Sequence, residues 1–506
     1  MKRYYYLVFA ALVSGTAMAQ DQYDAANFTA SDLNGTARYV GMGGALDALG
    51  GDISTMSSNP AGTGLFRHPE GSLTMSVLFS DEKGQLGHDA ARASFDQGGV
   101  VFSMEQENRG RKGLQFVNFG FNYVKHRNHF GNANLAIQNL ANTFSQTYQM
   151  ADLANSAYDN DDWGYLADLA APMYDDNGKL IKDGVIFDNY IYDPKTDKYY
   201  FDSYEGCAAA NAKYRRATYG STAQADFNVS MNLSDQFFFG ISLGSYNLNS
   251  KRESNYYEMG FEDGHSYDIS NWYDSEGTGF NIKLGTIIRP LEESPFRFGV
   301  TIHTPIWYNL KDMNGASLFY ENQFVQSVET DPYRYHFRTP WKFGFSLGHT
   351  VGKSFAFGAS YELQDFSTSH YNSKDNLNEN YFMDMNQNIK DDLKTQHVIR
   401  VGAEFKPVDE FAIRLGYNYL SSPYNNKAFK YISYNSPFTE TDYTNWKDVN
   451  RFTLGVGYRF KGGYFDVAYQ LQSQKGDFYA FDDVDLKPTE IKNNRSQVMA
   501  TLGFRF

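Results

Sequence analysis

The sequence predicts an all-β chain, a 14-stranded antiparallel transmembrane β-barrel with a plugged lumen. Three observations lead there. Short segments of strictly alternating character recur from about residue 70 to the end, the gaps between them alternate long and short, and the last segment closes on an aromatic residue, Phe506.

The alternation is clearest over 451–460. Phe452, Leu454, Val456, Tyr458 and Phe460 fall on one face, and Arg451, Thr453, Gly455, Gly457 and Arg459 on the other. Successive side chains of a strand point to opposite faces, so period 2 over this length gives one apolar and one polar face. Ile413, Leu415 and Tyr417 against Arg414, Gly416 and Asn418 repeat the pattern, as do Ile399, Val401, Ala403 and Phe405 against Arg400, Gly402 and Glu404. Such segments fall at 72–80, 97–105, 115–125, 221–233, 236–248, 278–289, 296–304, 334–349, 353–366, 395–406, 410–420, 450–461, 463–474 and 495–506. The connections between them are short after the second, fourth, sixth, eighth, tenth and twelfth, and long elsewhere. An even strand number with short turns on one side and long loops on the other is the pattern of a bacterial outer-membrane barrel. Closure by next-neighbour pairing also leaves no unpaired sheet edge in lipid. A soluble sandwich or propeller alternates too, but it does not account for the strict long/short order.

The 506 residues include 41 Phe, 39 Tyr and 5 Trp, so 17% of the chain is aromatic. A mean hydropathy of −0.53 excludes helical spans, which need about 20 consecutive apolar residues. It leaves a barrel open, because only half of each spanning strand faces lipid. Lys2 and Arg3, an apolar run from Tyr4 to Val13, and Ala17-Met18-Ala19 before Gln20 read as a secretory signal over 1–19, cleaved on export. Losing Lys2 and Arg3 takes the net charge from −14 to −16, which argues against a nucleic-acid partner. Cys207 is the only cysteine, so no intrachain disulfide forms. The expected organisation is a signal at 1–19, a plug at 20–70 and a barrel at 71–506, with 126–220 as its longest, partly helical extracellular loop. The expected site is the outer membrane.

Gly120, Gly285, Gly358, Gly402, Gly416, Gly455 and Gly457 all alternate onto the polar, lumenal face. Glycine inside a strand often marks close approach by another backbone, or it merely relieves crowding. The candidate for what approaches is 20–70. In it Met42, Ala45, Leu46 and Leu49 have helical spacing, Gly50-Gly51 ends the predicted helix, and Asn59-Pro60 favours a turn.

The stretch Gly41-Met42-Gly43-Gly44-Ala45, Ala48-Leu49-Gly50-Gly51-Asp52 and Ser58-Asn59-Pro60-Ala61-Gly62 resembles the N-terminal hatch of the outer-membrane long-chain fatty-acid and hydrocarbon transporters, the FadL-like family. Asn59, Pro60 and Ala61 match its Asn-Pro-Ala motif, and fourteen strands is that family's number. The terminal strand likewise resembles the signal by which outer-membrane barrels reach their insertion machinery. The resemblance implies passive uptake of hydrophobic molecules, long-chain fatty acids or similar. Its expected parts are an extracellular groove, a lumenal pocket beside the hatch and lateral exit through the wall. It implies no cofactor, no metal and no enzymatic step. The alternative it leaves is a structural or secretion-associated barrel, or a haemin-binding one, whose loops bind a partner or ligand. The acidic doublets Asp161-Asp162, Asp175-Asp176, Asp391-Asp392 and Asp482-Asp483 read as solvated loop faces, with divalent cations bridging them to outer-membrane lipopolysaccharide as the alternative.

On that reading the lumenal pocket falls to Tyr39, Val40, Met42, Leu46 and Leu49. Arg400, Arg414, Arg451 and Arg459 point inward as head-group candidates, or as partners for Glu362, Glu404 and Asp466. Ala133, Ile137, Leu140, Phe144 and Tyr148 predict a helix with one apolar face, and Leu153, Ala157, Trp163, Leu166 and Leu169 a second apolar stretch. Ile137, Leu140, Phe144, Trp163 and Leu166 are therefore the groove candidates, unless the two stretches only pack on each other. Gly120 is the candidate wall kink. Gly240-Ile-Ser242-Leu-Gly244 and Gly344-Phe-Ser346-Leu-Gly348 match a nucleophile-elbow pattern but lie inside predicted strands, where no elbow forms. His126 and His129 are expected on opposite faces of a strand or as solvated loop residues.

Overall fold

The computed structural model describes residues 20–506 apart from 107–112, 139, 141–144, 161–163, 171–172, 175–179, 183–186, 196–197, 204–208, 261–265, 321, 375–378, 437 and 484. The predicted signal, 1–19, lies outside the described residues, as do Phe144 and Trp163.

The barrel strands are β1 (Glu70–Ser80), β2 (Ala91–Glu105), β3 (Leu114–Asn128), β4 (Asn211–Leu233), β5 (Phe237–Met259), β6 (Tyr267–Ile288) and β7 (Arg297–His303, resuming as Trp307–Tyr320). They continue as β8 (Tyr333–Arg338, resuming as Lys342–Val351), β9 (Phe355–Asp365), β10 (Thr395–Val408), β11 (Phe411–Leu420), β12 (Tyr443–Phe460), β13 (Gly463–Tyr479) and β14 (Arg495–Arg505). Each pairs antiparallel with its neighbours, and β1 also pairs with β14 from Glu70↔Arg505 to Ser80↔Arg495, which closes the ring. All fourteen predicted segments are strands of this barrel, in the predicted order.

The alternation becomes an inside and an outside. In β12, Phe452, Leu454, Val456, Tyr458 and Phe460 are 40–58% exposed, whereas Arg451 and Thr453 between them are 4% exposed. The same apolar band continues around the ring through Leu73 and Met75, Phe119 and Phe121, Ile241 and Leu243, Phe345 and Leu347, and Leu415. An uninterrupted apolar exterior on a closed barrel is a lipid-facing surface.

Strand length departs from expectation. β4, β5 and β6 each run for 22 or 23 residues, where about ten suffice to cross a bilayer. They continue roughly 30 Å beyond it on the long-loop side. The reason is visible in β5. From Phe239 to Leu243 the apolar side chains face out; from Tyr246 and Leu248, which are 2% and 1% exposed, they face in, and Ser245 and Asn247 face out. The strand does not slip; the polarity of its two faces inverts where it leaves lipid for water.

The predicted helix over 133–148 is corrected. Gly131–Gln138 is a strand that pairs with the outer half of β4, from Gly131↔Thr218 to Gln138↔Asn211. Ala133 and Ile137 are four residues apart, a spacing that suits one face of a strand as well as one face of a helix.

Inside the ring runs the N-terminal segment: α1 (Gln22–Thr29), α2 (Ala37–Gly41), α3 (Thr55–Ser58) and a 3₁₀ turn (Pro60–Leu65). The helix expected over 42–49 is instead a chain of turns, because Gly43 and Gly44 take φ of +64° and +79°. Two further helices, α4 (Gln146–Asp159) and α5 (Tyr165–Ala170), cover the outer end, and α6 (Glu379–Asp392) packs beside α1.

β7 and β8 break side by side. Pro305 interrupts one and Pro340 the other, and a proline donates nothing to a ladder. The pairing stops at His303↔Lys342 and resumes at Trp307↔Arg338. Across the gap only Thr339 bridges, its N donating to the Ile306 carbonyl at 3.1 Å and its Oγ1 accepting from the Ile306 N at 2.8 Å.

The lumenal glycines mark where the N-terminal backbone touches the wall. A Cβ at Gly358 would overlap the Ala45 carbonyl, at Gly402 the Met42 carbonyl, and at Gly240 the Pro60 backbone. Gly358→Val and Gly402→Val should each cost about 1–3 kcal/mol of overpacking. The expected outcome is a barrel that still shows heat-modifiable electrophoretic mobility but loses protection of residues 20–66 from protease.

Candidate functional site

The candidate site is the lumen with residues 20–66 in it. At the outer end, Asp21 caps α1 by accepting from the Asp24 N at 2.8 Å and pairs with Lys430 at 3.0 Å, while Asp24 pairs with Arg252 at 3.3 Å. The same short helix buries Ala25, Ala26 and Phe28. These pack into an aromatic chamber formed by Tyr246, Tyr308, Phe337, Phe366, Tyr371 and Phe382. Phe28 meets Phe337 edge-on at 5.9 Å.

Below this chamber the lumen turns polar. Asp32 lies 3.5 Å from both Arg451 and Arg495. A cavity of about 80 Å³ lies between it and the wall, lined among others by Lys125, His126, His303, Lys342, Glu362 and Arg400. That is room for a few waters, and its lining offers them hydrogen bonds.

The motif residues act as a clamp. Asn59, fully buried, accepts from the Ala61 N at 3.1 Å and donates from Nδ2 to the Asp47 carbonyl at 2.8 Å. The Pro60 carbonyl accepts from Asn228 at 3.2 Å, and Ala61 is fully buried. Asn59 thus caps the 3₁₀ turn, and the pair ties two turns of the segment to β4.

The expected pocket is corrected. Tyr39, Val40, Met42, Leu46 and Leu49 pack on one another and on Leu33, Ala37, Ala468 and Met499, so they form the core of the segment. Only Tyr39 reaches the polar cavity and only Leu49 the opening below. Side chains that alternate with glycines in a compact turn have one another as nearest neighbours, and burial leaves no void between them.

Three of the four arginines already have partners. Arg400 pairs with Glu362 at 3.3 Å, Arg414 with Glu404 at 2.6 Å and Asp466 at 2.7 Å, and Arg451 with Asp32. Arg459 stands apart at the short-turn mouth of the barrel. The groove candidates Ile137, Leu140 and Leu166 are at most 4% exposed, in one cluster with Met150, Leu153, Ala157 and Leu169. Among the described residues these three candidates pack into an apolar cluster and line no open groove. Gly120 shows no kink: it pairs in register with Val101 and with Asn228, and its lumenal side is filled by Met56. The register shifts of β3 fall between Leu114 and Phe116 and between Lys125 and Arg127. Ser242 and Ser346 both lie within strands, β5 and β8.

Two sequence readings missed structural roles. His126 and His129 both face inward, hydrogen-bonded to Gln224 at 2.9 Å and Thr222 at 3.0 Å, because the shift at Lys125/Arg127 breaks the alternation between them. Two acids expected in solvated doublets hold the outer loops together. Asp392 accepts from Gln22 at 2.8 Å, and Asp482 from the Ile432 N at 2.8 Å. Burial pushes each carboxyl up, to about 6. No sequence pattern marks such acids; what identifies them is the backbone that folds over them.

Two predictions follow from this geometry. Asn59→Ala leaves the Asp47 carbonyl and Ala61 N unpaired in the interior, at about 1–3 kcal/mol. Residues 20–66 should then become protease-sensitive while the barrel persists. For Asp392 and Asp482 the folded state holds the proton more tightly than the unfolded chain. Their contribution is therefore greatest near the ordinary carboxylate range, around 3.8, and is lost as pH rises through about 6. Hydrogen exchange over 425–432, corrected for intrinsic rates, should be faster at neutral pH than at pH about 5, and Asp392→Asn with Asp482→Asn should flatten that difference.

No protein-family model and no curated protein matches the chain. Among solved structures it is similar to a FadL homologue from Pseudomonas aeruginosa, at 13% identity and a TM-score of 0.51, over 94% of this chain and 99% of that one. It is also similar to CymD, a monoaromatic hydrocarbon channel, at 11% identity and a TM-score of 0.50 with the same coverage. In fold, the chain is a FadL-like fourteen-stranded β-barrel.

Proposed function

We propose that the chain is an outer-membrane channel for passive uptake of hydrophobic compounds, long-chain fatty acids or similar, with residues 20–66 as its hatch. The observation that carries this reading is the aromatic chamber around α1. A water-filled lumen offers no help to a molecule that loses about 0.8 kcal/mol for each CH₂ returned to water, whereas a chamber of aromatic faces does. That a structure of similar fold is a monoaromatic hydrocarbon channel adds support. A cleaved signal and the insertion machinery deliver the chain, and lipopolysaccharide surrounds its outer end.

In this reading α1 holds the place of the cargo, and displacing it opens the chamber. The apolar cap of α4 and α5 closes the entrance. Lateral exit is better assigned to the β7–β8 gap than to Gly120. Ile306, at the gap, belongs to the aromatic chamber, while Trp307 and Trp341 stand exposed on the lipid side. Opening there breaks only the two Thr339 bonds, whereas opening beside Gly120 breaks a regular ladder.

Cells with and without the protein, given a panel of toluene, alkanes and long-chain fatty acids, test the reading. Uptake should depend on the protein for at least one class, and equal uptake across the panel overturns it. Pro305→Ala with Pro340→Ala allows two ladder bonds of about 1 kcal/mol each to form. Uptake limited by that opening should then slow by roughly thirty-fold, in a barrel no less stable.

A further inference from the structure

At the short-turn end the N-terminal segment fills only part of the mouth. Beside it lies an opening of about 910 Å³, bounded by the β8–β9, β10–β11 and β12–β13 turns and roofed by Arg38 and Leu49. Its charges are uneven. Arg38, Arg297, Lys353, Lys406, Arg459 and Lys461 line it, against Glu404, Asp409 and Glu410, in a chain whose net charge is −14.

The carboxylates do not neutralise this set. Glu404 is committed to Arg414 at 2.6 Å and to Arg38 and Lys406 at 3.3 Å each. Asp409 and Glu410 lie on an exposed turn. Among the described residues, Arg297, Lys353, Arg459 and Lys461 have no carboxylate within ion-pair distance. Arg297 adds an independent observation. It donates to the Leu49 carbonyl at 2.7 Å, while its Nε is sealed from solvent with no acceptor. A charged donor left without an acceptor is costly, and a guanidinium with one nitrogen held by a backbone carbonyl keeps further N–H donors for a carboxylate or phosphate oxygen. Leu49 and Ala356 supply apolar surface next to these donors.

We propose that this vestibule is an anion site at the periplasmic mouth that binds the carboxylate or phosphate head group of an amphiphile, with Arg297 and Arg459 as principal donors. The head group has two sources, a carboxylate cargo descending the lumen or an anionic phospholipid of the inner leaflet. The site stands on its own charges and geometry, whichever cargo the chamber above carries.

The test is titration calorimetry on the purified, detergent-solubilised chain at low salt with octanoate, 1-octanol, dihexanoyl phosphatidylglycerol and inorganic phosphate. Octanoate or the lipid should bind, and its affinity should fall by about ten-fold in Arg297→Gln/Arg459→Gln and again as salt screens the charges. Uncharged 1-octanol should not distinguish the variant from the parent. Octanoate alone points to cargo, and the lipid alone to the leaflet. Inorganic phosphate binding as tightly as either amphiphile overturns the amphiphile assignment, and anion affinities unmoved by the double substitution overturn the site. Should that variant fail the heat-modifiability check, Lys353→Gln/Lys461→Gln on the exposed turns should lower the same affinities more weakly, and no change there overturns the proposal too.

Discussion

Pairing of β1 with β14 is the constraint from which the other features descend. In lipid every backbone N–H and C=O must find a partner inside the protein, and only a closed ring supplies one for both edges of a sheet. Fourteen strands closed in this way enclose a lumen far wider than side chains alone can fill. Something must occupy it, and here that is the chain's own N-terminal segment. Glycines on the inner face let that backbone reach the wall at Ala45, Met42 and Pro60. The motif Asn59-Pro60-Ala61 then fixes its lower end by hydrogen bonds that a sheet wall by itself does not offer.

The same closure decides what happens to charge. Inward side chains between the plug and the wall have little water, so each charged group needs a counter-charge within reach. Lys283 sits 2.5 Å from Asp226, both essentially unexposed, and Arg414 spans Glu404 and Asp466. Removing one partner strands the other, so such pairs are costly to break even where they add little net stability. That is why Arg400, Arg414 and Arg451 are poor head-group receptors. Their charge already serves the packing, and Arg459 stands apart only because it lies past the last layer of the plug.

How legible this was in the sequence varies by element for physical reasons. The strands within the membrane were legible because lipid imposes period 2 on each of them. Their outer extensions were not, because beyond Leu243 the apolar side chains turn inward and the simple pattern of apolar outside is lost. The 133–148 stretch misled because its spacing of four serves a strand as well as a helix. Val40, Met42 and Leu46 were legible as buried, but burial alone does not separate the lining of a pocket from the core of a plug. The pairing of Pro305 with Pro340 was out of reach, since each reads singly as an ordinary break and only the sheet register brings them level.

That register matters for the route a cargo would take. The lumen is layered, with the aromatic chamber around α1 above and a layer carrying the charges of Lys342, Glu362, Arg400 and Arg451 below. An apolar molecule in the chamber gains little by descending, since the layer beneath is lined mostly by polar and ionic groups that lose hydrogen bonds to make room. A ~16-carbon chain stands to lose roughly 12 kcal/mol in water, which excludes waiting in a hydrated layer as an intermediate. The gap between β7 and β8 opens above that layer, at the height of Ile306, with lipid on its far side. An apolar path that leaves through the wall there never crosses the charges, whereas an axial path to the periplasm is open only to a molecule whose head group can trade places with them.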